Sequence, residues 1–227
     1  IPKVLEHLLD ARKSTKKRMK SEKDEFKYKV LDGLQLAYKV TANSVYGQLG
    51  ARTSPIYKMN LAACTTAIGR ARIDDASKGV KQWAAECRHP EPDIVYGDTD
   101  SVFVKFSRIK DGVELQGKEA LKHCIDCGQK AGEYVTLKLL KNPQDLEYEK
   151  TFWPFILISK KRYTGDKYEF DPNECKRTSM GIVLKRRDNA PIVKYVFGNV
   201  IEIIMIQRDF EKVREWLIQT LKDILEE

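Results

Sequence analysis

Asp98 and Asp100, one residue apart, interrupt an otherwise apolar run, Ile94-Val95-Tyr96-Gly97-Asp98-Thr99-Asp100-Ser101-Val102-Phe103-Val104. β-branched and aromatic residues on both sides predict two short strands joined by a tight turn, with Gly97 as its punctuation. A carboxylate at the lip of a buried sheet asks for a counter-charge. The turn offers none, since the first cation beyond it is Lys105. A bound divalent ion could supply it, and oxygen ligands of this kind suit Mg²⁺ or Mn²⁺. The alternative is a hairpin turn with solvated aspartates, because Asp and Gly are ordinary turn formers.

Two helices upstream gather cationic and polar groups. Residues Val4 to Lys20 read as a helix with Leu5, Leu8 and Leu9 on one side. Six of the nine residues from Arg12 to Lys20 are Lys or Arg. Arg12 and Lys16 extend the leucine stripe at the helical period, whereas Lys13, Lys17 and Lys20 point elsewhere. Ser21 is expected to cap a second helix, Glu22 to Tyr46. Its expected core stripe is Phe26, Val30, Leu34, Ala37, Thr41 and Val45. Lys39, Asn43 and Tyr46 fall nearly opposite, where a cation, an amide and a phenol could grip phosphates and a base or sugar. An ordinary solvated face is the plainer alternative. Gly47 and Gly50 are expected to end the helix.

Composition narrows the partner. The 227 residues carry 41 Lys+Arg against 33 Asp+Glu, a formal charge of +8, which favours a polyanion such as nucleic acid. With 42% hydrophobic and 33% charged residues the chain reads as globular rather than as a disordered tail. It has no apolar stretch of membrane-spanning length and no signal-peptide pattern. An odd five cysteines without a secretory signal point to a reducing, intracellular setting.

Lys39-Val40-Thr41-Ala42-Asn43-Ser44-Val45-Tyr46-Gly47, followed by Tyr96-Gly97-Asp98-Thr99-Asp100-Ser101, resembles the paired fingers and palm motifs of family B DNA polymerases. Leu9-Asp10-Ala11-Arg12-Lys13 resembles the start of the fingers segment. Leu146-Glu147-Tyr148-Glu149-Lys150, Ile158-Ser159-Lys160-Lys161-Arg162-Tyr163 and Arg186-Arg187-Asp188-Asn189-Ala190-Pro191 resemble later palm motifs, in order. The spacing is similar to that of the delta-type replicative branch and its relatives in large DNA viruses.

That resemblance implies an α+β right-hand fold, incomplete: helical-hairpin fingers over 1–49, a partial antiparallel-sheet palm with packed helices over 50–191, and a helical start of the thumb over 192–227. It implies a DNA-templated transfer of a nucleotide from dNTP to a primer 3′-OH during replication, with two Mg²⁺ ions (or Mn²⁺) held by Asp98 and Asp100. Arg12, Lys16, Lys39 and Asn43 match groups that contact the triphosphate, and Tyr46 and Gly47 match the surface against which the nascent base pair packs. Thr99, Lys160, Lys161, Arg162 and Tyr163 match the primer-binding hairpin and strand, which positions DNA without reading its sequence. Glu149 is a candidate auxiliary carboxylate. Implied partners are primer–template DNA, dNTP, the remainder of a polymerase (exonuclease, first palm segment, rest of the thumb) and a sliding clamp, with no membrane. The implied location is the nucleus or a viral replication compartment.

One family element has no counterpart here: an earlier palm motif of the type Asp-x-x-Ser-Leu-Tyr-Pro. A fragment or split enzyme, inactive alone, is therefore expected. Two alternatives remain: an Asp-x-Asp metal-dependent nucleotide-sugar glycosyltransferase, and a non-catalytic DNA-binding module.

The remaining pattern fits the same plan. A long helix or helix pair is expected over Asn60 to Cys87, with Ala62, Ala63, Thr66, Gly69 and Ala76 packing on a sheet, and another helix over Lys118 to Leu140. Phe152 to Ile158 reads as a strand with Pro154 at an edge or bulge, returned by a turn at Tyr163-Thr164-Gly165-Asp166. Helices follow from Ile192, with Asp209 as a cap between them. Cys124-x-x-Cys127 beside His123 resembles half a zinc site, but no second ligand pair stands at suitable spacing, so it reads as packing. His7 and His89 have no partner visible in the sequence. Trp83, Trp153 and Trp216 read as core or interface anchors.

Overall fold

Pro2 starts the first helix, α1 (Pro2–Ser21), at a position where a missing N–H costs nothing. The computed structural model describes residues 1–185 and 188–226, so Arg186 and Arg187 of the last palm-like motif lie outside the described residues. The chain divides into two units, Ile1–Ala71 and Arg72–Glu227.

In the first unit α1 pairs with α2 (Glu25–Gly50). Three residues connect them, so the two helices run back on each other as a hairpin. The carboxylate of Glu22 accepts from the backbone N–H of Lys23 and Asp24, at 3.0 and 3.1 Å, and steadies the connection. Asp24, not Ser21, is the cap of α2, accepting from the amides of Phe26 and Lys27 at 2.9 and 3.1 Å. Ser21 is the last residue of α1 and donates to the Arg18 carbonyl instead.

The inward face of α1 comprises Leu5, Leu8, Ala11, Arg12, Thr15 and Met19, whereas Leu9 and Lys16 are exposed. The shielded stripe of α2 is Leu31, Gln35, Tyr38, Ala42, Val45 and Leu49. This corrects the expected stripe: Phe26, Val30, Leu34, Ala37 and Thr41 lie about 100° around the helix from it and are exposed. α2 is apolar on two faces, and α1 covers only one. The helix also runs on through Gly47 to Gly50 instead of stopping after Tyr46.

A long helix, α3 (Met59–Glu86), crosses from the first unit into the second. In the second unit its Ala76, Val80, Trp83 and Ala84 form the main core with Cys127, Ala131 and Val135 of α4 (Gly117–Lys138). Gly79 makes the close approach possible, because a Cβ there would stand 2.3 Å from Leu139 Cδ1 and 2.8 Å from Val135 Cγ2. The small residues of α3 thus pack against a helix as well as the expected sheet, and Ala63 and Thr66 are exposed.

The sheets are antiparallel and small. β1 (Asp93–Asp98) pairs with β2 (Ser101–Lys105), and a short ladder follows between β3 (Ile109–Lys110) and β4 (Val113–Glu114). β5 (Thr151–Ser159), β6 (Arg162–Tyr168) and β7 (Lys176–Met180) form a separate sheet in that order. β5 is an edge strand with a register shift between Phe152 and Phe155, which accommodates Pro154. The expected turn at Tyr163–Asp166 is instead the interior of β6. Gly165 is there because Phe152 Cδ1 and the Pro154 carbonyl would both lie 2.9 Å from a Cβ. The actual turn is Lys160-Lys161, since Ser159 pairs with Arg162.

A short 3₁₀ turn (Val183–Lys185) leads to α5 (Pro191–Gln207) and α6 (Phe210–Glu226). Ile182 joins Ile201 and Met205 of α5 in a second core. Asp209 caps α6 as expected, accepting from the amides of Glu211 and Lys212. Six α-helices with small antiparallel sheets among the described residues make this an α+β chain.

Candidate active site

The Asp98–Asp100 turn is as tight as a hairpin permits. Asp98 pairs with Ser101, which leaves only Thr99 and Asp100 in the loop, and Thr99 takes a left-handed φ of 57°. Asp100 N donates to Asp98 O at 2.6 Å, Ser101 Oγ to the same carbonyl at 3.1 Å, and Thr99 Oγ1 to Asp98 Oδ1 at 3.0 Å. Gly97 is not in the turn: it lies within β1, opposite Val102.

Aromatic rings, one pair stacked and another edge to face, hold this hairpin against the β5–β7 sheet. Phe103 of β2 meets Tyr96 at 5.2 Å, Phe155 at 5.6 Å and Tyr163 at 5.5 Å between centroids. Packing there brings the Lys160-Lys161 turn to the acidic one. The Lys161 amide donates to the Tyr96 hydroxyl at 2.8 Å, and the Lys161 ammonium pairs with Asp98 Oδ1. The counter-charge that the sequence seemed to lack is therefore a lysine 63 residues away.

Electrostatics follow from that contact. The Lys161 hydrogen bond holds the Asp98 carboxyl below its ordinary range, against a partial loss of water that works the other way. Reciprocally, Asp98 raises Lys161, with Asp100 adding to the effect. Tyr163 is buried, and burial together with the Asp98 charge raises its phenol. Asp100 is exposed and forms no ion pair among the described residues. Lys160 and Arg162 are exposed on either side of Lys161.

Gly181 fixes the lysine turn from behind. Its φ is +61°, and a Cβ there would lie 2.1 Å from the Lys161 carbonyl oxygen, so only glycine lets β7 pass so close. This role has no signal in the sequence.

Asp100 also lines a cleft of about 880 Å³, with Glu149, Lys150, Trp153 and Tyr163 on its walls. Glu149 is exposed and pairs with its neighbour Lys150 at 2.9 Å. It does not join the two aspartates in a three-carboxylate cluster; among the described residues the one convergent set of three ligand atoms is His89, His123 and Cys127.

The first unit carries its own candidate face. Arg12 is half-buried and its Nε donates to Gln35 Oε1 at 3.3 Å, so it faces α2 as expected. Lys16 is exposed. Lys39, Asn43 and Tyr46 share one exposed face of α2, about 90° from the shielded stripe rather than opposite it. They form no hydrogen bond or ion pair among the described residues. Beside them Gly47 has nothing within 4 Å of where a Cβ would stand, so no contact within the unit requires glycine there.

Comparison with known proteins gives one consistent result. The family model for DNA polymerase family B matches residues 1–227. The chain is 50% identical over 202 residues to a DNA polymerase of Pyramimonas orientalis virus, covering 89% of this chain and 16% of that protein. It is 39% identical over 228 residues to the DNA polymerase delta catalytic subunit of Candida albicans, covering 100% of this chain and 21% of the relative. For the delta catalytic subunit of Drosophila melanogaster the identity is 36% over 231 residues, covering 99% and 20%. The chain thus spans about a fifth or less of the length of these relatives.

Proposed function

The chain belongs to DNA polymerase family B, and from that membership we propose that it supplies the nucleotide-contacting and part of the catalytic machinery of a DNA-templated DNA polymerase acting in replication. The observation that carries the reading is the tight hairpin that sets Asp98 and Asp100 on either side of Thr99, braced by Lys161. Residues 1–49 act as fingers, 50–191 as the second palm segment and 192–227 as the start of the thumb. No helix among the described residues is long and apolar enough to cross a membrane. A nuclear or viral replication compartment is the proposed location, and a sliding clamp a proposed partner.

The donor set fits hard divalent ions: two carboxylates a residue apart, one open to solvent and one kept ionised by its neighbours. Mg²⁺, or Mn²⁺, held by Asp98 and Asp100 as a pair of ions would neutralise charge on the attacking 3′ oxygen and on the departing pyrophosphate. The protein's own groups do the rest. Lys161, its ammonium largely exposed, would be free to meet a primer phosphate oxygen if a metal took its place beside Asp98. Thr99, Lys160 and Arg162 hold the primer from the same two turns. Tyr163 supports them from below, since its ring is buried among Phe103, Phe152 and Phe155.

Lys39 and Lys16 place cationic charge on the β- and γ-phosphates, where negative charge grows as pyrophosphate leaves. Arg12 reaches the same phosphates from its place beside Gln35, and Asn43 adds a neutral donor. Tyr46 and Gly47 offer a flat surface to the base pair. A mid-helix glycine costs about 0.5–1 kcal/mol relative to alanine, and the open space at Gly47 leaves close approach of a ligand as its use.

Primer extension tests the proposal, using a chimera in which these 227 residues replace the matched segment of a delta catalytic subunit. Mg²⁺-dependent extension that is lost in Asp98→Asn and Asp100→Asn, with DNA affinity retained, supports it. Extension that survives either substitution overturns it. The 227-residue chain by itself should bind DNA with a strong salt dependence and extend no primer. The whole-chain family match disfavours the glycosyltransferase alternative.

A further inference from the structure

Two imidazoles and a thiol meet where the segment after α3 passes the early turns of α4. His123 and Cys127 stand four residues apart on one face of α4, and His89 reaches them from outside that helix. Cys127 Sγ lies 3.6 Å from His89 Nε2 and 3.6 Å from His123 Nε2, and one ligand atom of each residue lies within 4.8 Å of the others. We propose that His89, His123 and Cys127 form a second metal site, for a tetrahedral, thiolate-accepting divalent cation, with Zn²⁺ the best fit.

Distance, tautomer and setting support this independently. A tetrahedral zinc about 2.3 Å from sulfur and about 2.0–2.1 Å from nitrogen sets the sulfur–nitrogen edge near 3.6 Å. The Cys127 Sγ–His89 Nε2 separation has that value, whereas Sγ lies 3.6 Å from His123 Nε2 and 3.9 Å from its Nδ1, so the His123 ring turns to direct one nitrogen at a shared ion. His89 Nδ1 lies 2.8 Å from the Pro90 carbonyl oxygen, which can only accept. Nδ1 therefore carries the proton and Nε2 keeps its lone pair toward Cys127, the arrangement that outer-shell carbonyls impose on metal-bound histidines.

The rings are also held in place. His89 lies 5.6 Å from Trp83, 6.1 Å from Phe106 and 5.6 Å from His123, stacked on the last. Burial, and then the neighbouring His89, keep His123 below its ordinary value. Without a cation, burial pushes the Cys127 thiol up to about 12, and ligation must displace its proton to solvent.

The ligand set is soft where the aspartate turn is hard. Thiolate with two imidazoles selects zinc-like ions, whereas carboxylates select Mg²⁺ or Mn²⁺. Three protein ligands leave the fourth tetrahedral position to water. Cys124 is not part of the convergent set, so the Cys-x-x-Cys spacing is not the chelating unit. The ion would tie residues 88–92, which lead into β1, to the side of α4. This site does not depend on the polymerase reading.

Cobalt(II) titration of the reduced 227-residue chain tests it. One equivalent should bind with a thiolate-to-cobalt charge-transfer band and d–d bands of tetrahedral intensity, and Zn²⁺ should displace it. His89→Ala and His123→Ala should each weaken binding by about 100-fold, and Cys127→Ala should abolish the charge-transfer band. Absence of the band in the parent chain, or its survival in Cys127→Ala, overturns the proposal. Cys127 is buried, so circular dichroism checks that its variant folds. If it does not, the half-buried His89 and His123 decide alone: affinity unchanged in both overturns the site.

Discussion

Lys161 does two things for Asp98: it neutralises the carboxylate and, through its backbone amide, positions Tyr96 beside it. Because the folded pKa of Asp98 is depressed, the pair contributes stability above the ordinary aspartate range and loses it as pH falls through the lowered folded value. Lys161→Ala should therefore move the Asp98 carboxyl titration upward, as followed by carboxyl-carbon NMR; an unmoved titration would show that the pairing is not made in solution. Gly181→Ala probes the same contact from behind. Its left-handed backbone should cost about 1–3 kcal/mol, and the intruding methyl should displace the Lys161 turn, so thermal stability and the Asp98 titration should change together. The acid pair itself was legible in the sequence, since its spacing and apolar flanks are local. Its counter-charge was not, and neither was the partnership of His89 with Cys127, because chain folding alone brings such distant residues together.

Helix α2 shows what periodicity can and cannot decide. Its type and the shared face of Lys39, Asn43 and Tyr46 were readable at the helical repeat, while both of its ends lie three or four residues later than expected. Its buried stripe was not, because apolar residues fall on two faces about 100° apart and only the covering helix selects one. The start was also misplaced: Ser21 and Asp24 are both good caps, and the Glu22-held connection gives the role to Asp24. Asp24→Ala should destabilise the hairpin by about 1 kcal/mol, whereas Ser21→Ala should be near neutral, as measured by chemical denaturation. Gly47→Ala should stabilise α2 by about 0.5–1 kcal/mol while slowing nucleotide incorporation in the chimera. Stabilisation without that slowing would remove Gly47 from the nucleotide surface. In the second sheet, glycine again misled: Gly165 looks like a turn residue but sits where a ring and a carbonyl crowd a strand. Lys160-Lys161, which contains no usual turn former, makes the reversal.

At the scale of the molecule, the α+β class and the order of elements followed from the sequence, while the arrangement of strands did not. The described strands form three separate sheets, and the acidic hairpin shares no ladder with β5–β7. Phe103 is the common contact between the hairpin and that sheet. Phe103→Ala should cost about 3 kcal/mol and free the Lys161–Asp98 pair, so hydrogen exchange should quicken in β1 and β2 before β5–β7. Equal acceleration in both would mean that the strands open as one unit. The loop bearing the two acids is thus footed on side chains alone, on the Phe103 ring and on Lys161, so a single substitution can unseat it while every strand stays laced to its own neighbours.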